Sequence, residues 1–255
     1  LHNTLFPYTT LFRSRIAFAA NRGGLLDLWT VDVASGDLRR LTRDPYAELH
    51  PDWSPDGERI AFVTDRFDSD LDRLRFGAFR LATIDPATRT VEELPGFEGA
   101  KHVSPRWGPG GEDLYFVSDR GGISNVYRLA TGSGRLYQVT DVYTGVSGIT
   151  ELSPGLSVAS GSGRAVFSVF RDGGYDIYRA DSAEVLAGRR PDEVSDGSPA
   201  GDLPPRDRGR SEVAALLDDP ELGLPSAVTF DSADYDPSLG LDYVSQPSLA
   251  FGASS

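Results

Sequence analysis

The chain has 255 residues, a net charge of −13 and no cysteine. The acidic balance argues against nucleic acid as a partner and favours a neutral or basic protein surface, while the lack of cysteine excludes disulfides and thiolate metal sites. No apolar run approaches the ~20 residues of a membrane-spanning helix.

Residues 1–14 stand apart from the rest of the chain. Residues 4–14 read TLFPYTTLFRS, which is similar to the in-frame translation of a short-read sequencing adapter. We interpret this segment as an artefact outside the fold, with a natural edge strand as the alternative. The chain has no methionine and the repeat that follows starts in mid-unit at Arg15, so the sequence indicates a fragment of a longer protein.

The clearest copy of that repeat is HPDWSPDGERIAFVTDR at residues 50–66. The Pro and Gly of SPDG mark a tight turn, and IAFV is an apolar run of strand length. PRWGPGGEDLYFVSDR at 105–120 has the same order. A looser copy, PGLSVASGSGRAVFSVFRD at 154–172, puts Leu156 where the tryptophan stood, and a truncated copy, RIAFAANRGG, begins at Arg15.

The strand phenylalanines of the four copies align, at spacings of 44, 54 and 51 residues. They are Phe18, Phe62, Phe116 and Phe167. An arginine follows each of them by four positions: Arg22, Arg66, Arg120 and Arg171. A glycine pair and a second aromatic strand complete most units. About four short strands in each ~45 to 54 residues are typical of propeller blades.

The predicted fold is therefore all-β. It is a partial, open β-propeller of about four blades, each a four-stranded antiparallel sheet, at residues 15–42, 43–97, 98–140 and 141–188. The pattern HPDWSPDG…IAFVTDR resembles the TolB-type propeller repeat of TolB, of tricorn-like proteases and of prolyl-oligopeptidase relatives. The resemblance covers residues 15–188 and implies a fold rather than an activity, because one propeller fold carries many unrelated sites.

Several repeated residues are predicted to be structural. Trp53 and Trp107 would pack one blade against the next, together with the aligned phenylalanines. The repeated arginines would bond to blade turns or pair with nearby aspartates. The two histidines of the blades, His50 and His102, do not form a repeated ligand, because the alignment puts His50 opposite Ser104.

The second unit carries an insertion at residues 67–77 in place of the glycine pair. Together with Asp65, its aspartates Asp68, Asp70 and Asp72 form an acidic run whose spacing could suggest calcium. The segment lacks the glycine and the distal glutamate of an EF-hand loop, so the sequence favours a solvated charged loop. Because propellers bind through loops between strands, these aspartates mark our candidate contact loop.

The period stops near residue 188. Residues 189–225 are predicted to form a linker with a short helix at 212–217, and residues 226–255 the start of a β-barrel-like or disordered region. The alternating LGLDYV at 239–244 suits a barrel strand. This order resembles bacterial envelope proteins in which TolB-like repeats precede a surface-antigen-type barrel, and it implies the periplasm or the outer membrane.

The sequence holds no GxSxG, HExxH, P-loop or GxGxxG motif. We therefore predict no catalytic residue, no cofactor and no metal in this chain, and leave its oligomeric state open. One hypothesis is a non-catalytic platform for an unidentified protein partner, next to an outer-membrane barrel. The alternative is the substrate-gating propeller of a prolyl-oligopeptidase or tricorn-like peptidase with its catalytic domain outside this chain. A GxSxG motif in the downstream sequence would favour the peptidase. A downstream run of ~10-residue strands with alternating polarity would favour the platform.

Overall fold

The structure is a computed structural model, and it describes residues 5–191 except 13, 151, 172 and 182. The described strands form four antiparallel sheets, in each of which neighbours in the sequence are neighbours in the sheet. This confirms the predicted all-β propeller architecture. We name the sheets blades 1 to 4 in chain order.

Blade 1 contains β1 (Leu5–Phe12), β2 (Arg15–Arg22), β3 (Leu25–Asp32) and β4 (Leu38–Arg40). Blade 2 contains β5 (Glu48–Trp53), β6 (Ile60–Thr64), β7 (Arg80–Ile84) and β8 (Val91–Glu93). Blade 3 contains β9 (His102–Trp107), β10 (Asp113–Ser118), β11 (Asn125–Ala130) and β12 (Arg135–Gln138). Blade 4 contains β13 (Leu156–Val158), β14 (Ala165–Arg171) and β15 (Gly174–Ala180), and the short helix α1 (Ala183–Ala187) follows it.

Glycine determines the tight turns of the blades. Gly23 and Gly24 join β2 to β3 with φ of 68° and 88°, and a two-residue hairpin of this type needs positive φ at both positions. Gly57 and Gly111 occupy matching turns of blades 2 and 3, with φ of 77° and 82°. Each donates its N–H to the carbonyl three residues earlier, at 2.9 Å and 3.1 Å respectively. The repeated Pro/Gly motif therefore makes the same turn in both copies.

The aligned phenylalanines occupy one position in four sheets. Each lies in the second strand of its blade, opposite the third strand. The cross-strand pairs are Phe18 with Trp29, Phe62 with Ala82, Phe116 with Tyr127, and Phe167 with Tyr178. A slip of one residue would turn the side chains to the other face, so this common register shows that the units are copies of one sheet.

The hydrophobic cores lie between consecutive blades. Trp53 of blade 2 is buried in one cluster with Ala17 and Leu28 of blade 1. Trp107 of blade 3 is buried with Leu49 and Ala61 of blade 2, and a third cluster joins blades 3 and 4. The first strands of blades 2, 3 and 4 each contact the blade before them, so the sheets stack in chain order, and they are not closed into a ring.

The N-terminal segment, which the sequence analysis interpreted as an artefact with an edge strand as the alternative, pairs with blade 1. Residues Leu5–Phe12 form β1 and pair with β2, with Thr9 opposite Phe18. At its edge, β2 presents a row of backbone N–H and C=O groups that need hydrogen-bond partners. Residues 5–12 are rich in aromatic residues and threonine, which favour strands, so this segment pairs with that edge. The segment takes the place of the first strand of the blade.

Blade 4 also departs from the prediction in its first strand. Ala159 donates its N–H to the carbonyl of Arg164 at 2.8 Å, as Ser54 does to Arg59 at 2.9 Å, so Val158 rather than Leu156 occupies the place of Trp53. The chain leaves the sheet at residues 148–150 and 152–154: Val146 bridges to Val169, and Gly155 then accepts the N–H of Ser168. This excursion, which we call the blade 4 loop, shifts the alignment.

Blade 4 has three described strands instead of the four predicted. After β15 the chain enters α1 and then pairs Arg189 with Gln138, at the outer edge of blade 3. The rest of the predicted linker from residue 192, the short helix at 212–217 and the β region at 226–255 lie outside the described residues. In the part that the structure describes, none of the helices has the length and apolar character needed to cross a membrane.

Candidate functional site

The four repeated arginines do not form one shared site. Arg66 pairs with two carboxylates, Glu48 at 2.6 Å and Asp44 at 2.8 Å. The guanidinium of Arg22 lies 5.7 Å from the centre of the Trp29 ring, and that of Arg120 lies 5.0 Å from the Phe97 ring. Arg171 ends β14 opposite Gly174. Arg66 is therefore an ion-pair partner, and Arg22, Arg66 and Arg120 each lie over an aromatic ring.

A buried polar network joins blades 1 and 2. Glu48 is fully buried, accepts a hydrogen bond from the Thr42 hydroxyl at 2.8 Å and pairs with Arg66. Burial, reinforced by the Asp44 charge, raises the pKa of Glu48 to about 7. Thr42 also accepts the N–H of Leu28 at 3.0 Å, so the network ties the third strand of blade 1 to the first strand of blade 2.

Asp65 and Asp119, for which the sequence predicted no structural role, each hold the start of a blade. Asp65 accepts the N–H of Ala47 at 2.9 Å, and Asp119 accepts the N–H of Lys101 at 2.8 Å. Each carboxylate thus accepts a hydrogen bond from a backbone N–H in the loop that precedes the first strand of the same blade. The signal was present in the sequence, because both copies place Asp directly before the repeated arginine.

His50 and Ser104 occupy matching bulges in β5 and β9, with φ of 55° and 54°. The Ser104 N–H donates to Nδ1 of His50 at 3.1 Å, so the histidine carries its proton on Nε2, 2.8 Å from the carbonyl of Leu152 in the blade 4 loop. Burial, reinforced by the charge of Arg106, lowers the pKa of His50 to about 4. His50 therefore connects three blades as a neutral side chain.

His102 is buried between blades 2 and 3. Its Nε2 accepts the N–H of Phe97 at 2.9 Å, and its Nδ1 lies 3.2 Å from the carbonyl of Phe79. Burial lowers the pKa of His102 to about 4, so this ring is also neutral at pH 7. These bonds of His50 and His102 go to backbone atoms, which is the arrangement of a structural residue rather than of a catalytic base.

We expect His102 to contribute to loss of stability in acid. The unfolded chain takes up a proton below pH 6.5 that the buried ring does not accept until about pH 4, so the free energy of unfolding falls through this window. His102→Gln removes the titration. Urea titrations at pH 6.5 and pH 5 should show a smaller fall in the variant, since Glu48 and His50 are common to both proteins. An equal fall in both proteins would contradict this role.

The candidate contact loop, residues 67–77, is held together by its aspartates. Asp68 lies 3.5 Å from Arg80, and Asp70 caps the 3₁₀ turn Leu71–Arg73 by accepting the N–H of Arg73 at 3.2 Å. Asp70 and Arg75 also exchange two backbone hydrogen bonds, of 2.8 Å and 2.9 Å. Asp72 lies in the first turn and is exposed. Two of the three aspartates therefore serve the loop itself.

The outermost part of this loop is apolar and basic rather than acidic. Leu74 and Phe76 are 78% and 75% exposed, and they alternate with the exposed Arg73 and Arg75. We call residues 73–76 the loop tip. Throughout the described residues, no group of three or more histidine or carboxylate side chains is placed to hold a metal ion. The arrangement suits contact with another macromolecule.

No family model matches the chain. A TolB homolog of Chlorobium luteolum is 31% identical over 160 residues, which are 49% of this chain and 36% of that protein. An uncharacterized peptidase, YuxL, of Bacillus subtilis is 32% identical over 99 residues, which are 38% of this chain and 14% of that protein. This chain therefore spans about a third of the TolB homolog and less of the peptidase.

Solved propellers share the fold. A putative TolB from Agrobacterium tumefaciens superposes with a TM-score of 0.53 at 17% identity, over 66% of this chain and 57% of that one. Puromycin hydrolase superposes with a TM-score of 0.51 at 22% identity, over 69% of this chain and 26% of that one. At these identities the structures support the fold alone. Together with the sequence relatives and the four matching blades, they show that this chain carries a segment of a TolB-like β-propeller.

Proposed function

We propose that this chain is a non-catalytic platform that binds a protein partner through the loop tip of blade 2. The observation that carries the proposal is the exposure of Leu74 and Phe76 on a loop that hydrogen bonds and ion pairs hold in place. Exposed apolar side chains on an ordered protrusion cost little conformational entropy to bind, because the backbone is already fixed.

The composition of the loop tip fits the centre of a protein interface. Aromatic residues and arginine are enriched there, and the tip offers Phe76 between the basic Arg75 and a glycine. Asp70 lies 3.5 Å from Arg73 and 4.0 Å from Arg75, and together with the exposed Asp72 it balances the charge of these two arginines. The partner that fits is a protein with an apolar pocket rimmed by charges of both signs.

Contact can be tested by photo-crosslinking in the full-length parent protein. A photoreactive phenylalanine analogue at position 76 should give a discrete protein adduct in cells, because Phe76 would lie in the interface. The matched control is the same analogue at Leu38, which is 61% exposed on β4. Identical adducts at both positions, or no adduct at position 76, would contradict the proposal.

We further propose that the parent protein works in the bacterial envelope, next to an outer-membrane barrel. The support is the likeness to TolB proteins, one of them named a Tol-Pal system protein, and the strand-like alternation of residues 239–244. Fractionation of cells that express the full-length protein tests the location. Recovery with the envelope is expected, and recovery wholly in the cytosol would contradict it.

The second candidate function is the propeller of a peptidase. Specific relatives favour it: the YuxL peptidase, puromycin hydrolase and a prolyl endopeptidase that superposes with a TM-score of 0.50. Labelling of the full-length protein with a fluorophosphonate probe separates the two candidates. Labelling of an active serine, with release of a fluorogenic peptide product, supports the peptidase, and an unlabelled protein supports the platform.

A further inference from the structure

In blades 1 to 3, the third strand has a covered outer edge. The residue before the partner of each aligned phenylalanine accepts a backbone hydrogen bond from the segment that ends the blade. The three bonds run from Leu41 to Leu28 at 2.8 Å, from Leu94 to Leu81 at 2.9 Å and from Val139 to Val126 at 2.8 Å. The carbonyl at this position therefore points away from the second strand, toward a fourth.

Ile177 is the matching residue of blade 4, because it precedes Tyr178, the partner of Phe167. Within residues 5–191, β14 is the one strand that pairs with β15. The chain that follows β15 turns to blade 3 instead, where Arg128 bonds to the carbonyl of Ala187 at 2.9 Å and Gln138 pairs with Arg189. Among the described residues, the outer edge of β15 therefore has no fourth strand, whereas the third strand of every other blade has one.

The face beside this edge is apolar. Leu28, Leu81 and Val126 are each 1% exposed, whereas Ile177 is 80% exposed. Its neighbours on the same face, Val166, Phe170 and Tyr175, are also exposed, and the last two rings pack edge to face at 5.3 Å. A seven-residue edge strand without proline or bulge is a ready template for pairing, and an apolar patch next to it marks an interaction surface.

We propose that the β15 edge binds an extended strand of a partner protein, which adds to blade 4 as its fourth strand. The three covered edges show what such a strand offers: an apolar residue whose N–H bonds to the carbonyl of Ile177. In two of the three blades a threonine follows, and its hydroxyl accepts the N–H of the same edge residue, as Thr42 does for Leu28 and Thr140 for Val126. Main-chain bonds supply affinity in strand addition, and alternate side chains supply specificity.

Charge determines the kind of partner. Two copies of this chain, each with a net charge of −13, would repel each other, which disfavours the pairing of one β15 edge with another. A neutral or basic segment with an apolar-threonine pair is the fitting occupant. This surface lies on blade 4, so the inference does not depend on the loop tip of blade 2.

The test uses a synthetic peptide with the sequence of the blade 3 strand and its threonine, RLYQVT, which carries one positive charge on arginine. Fluorescence anisotropy against the full chain should show saturable binding. The matched control is the same peptide with an N-methyl group on valine, which deletes the donor to Ile177 and should weaken binding about tenfold.

A second comparison changes the protein. Ile177→Pro removes the N–H at the edge, and edge strands tolerate proline where that N–H faces outward. Circular dichroism should show that the variant is folded like the unchanged protein. The folded variant should no longer bind the peptide. Equal binding of the two peptides, binding that survives Ile177→Pro, or a dimer by sedimentation in place of peptide binding would each overturn the proposal.

Discussion

Trp53→Ala should lower the free energy of unfolding by about 3 to 5 kcal/mol, the range for loss of a buried large aromatic side chain. Trp53 is 5% exposed and packs in the cluster that joins blades 1 and 2, with the Arg15 guanidinium 4.7 Å from its ring centre. Truncation would leave a cavity between two sheets that touch mainly through such side chains. Denaturant titration of the full chain measures the loss.

The matched control for this substitution is Phe76→Ala. Phe76 is also aromatic but lies on the loop tip, 75% exposed, so its removal should change the free energy of unfolding by no more than about 0.5 kcal/mol. A loss under about 1 kcal/mol for Trp53→Ala would show that Trp53 lies in no core and that blades 1 and 2 do not pack as described.

Arg66→Met should lower the free energy of unfolding by about 3 kcal/mol at pH 8, because it leaves Glu48 buried without its cation. The loss should shrink at pH 6. Burial already raises the pKa of Glu48 to about 7, and Arg66→Met removes a charge that lowers this pKa. In the variant at pH 6 this carboxyl is therefore protonated and no longer needs a positive partner. Urea titrations at both pH values measure this difference.

Two further variants isolate the cause. Glu48→Gln added to Arg66→Met should recover much of the stability at pH 8, because no buried charge is left. Arg59→Met removes an ion pair with Glu92 whose side chains are 55% and 58% exposed, and we expect it to cost less than about 1 kcal/mol. Equal losses for Arg59→Met and Arg66→Met would show that burial of Glu48 has no part in the effect.

Local signals in the sequence were enough to predict the blades. The register of Phe18, Phe62, Phe116 and Phe167 follows from an apolar strand with a Gly/Pro turn before it, and both signals act over a few residues. The packing role of Trp53 and Trp107 remains a prediction for mutagenesis, although the structure places both rings between blades. The repeat was sufficient to predict the sheets, because each sheet forms from strands that are consecutive in the sequence.

Features that depend on distant contacts were harder to predict. The blade 4 loop shifts the alignment by an excursion whose length no motif marks, so Val158 rather than Leu156 takes the tryptophan position. The acidic appearance of residues 67–77 hid the apolar loop tip, because Asp68 and Asp70 turn inward to Arg80 and to backbone donors. The edge of β15 that no described strand covers follows from where the chain goes next, toward Gln138 of blade 3.

A crystal structure of the full chain tests the central claim most directly, that the four units are copies of one sheet stacked in chain order. The account predicts Phe18, Phe62, Phe116 and Phe167 in the second strands of four separate antiparallel sheets, with Trp53 buried between the first and second sheets and Trp107 between the second and third. Phenylalanines in a single sheet, in helices or at unlike positions of unlike sheets would contradict it.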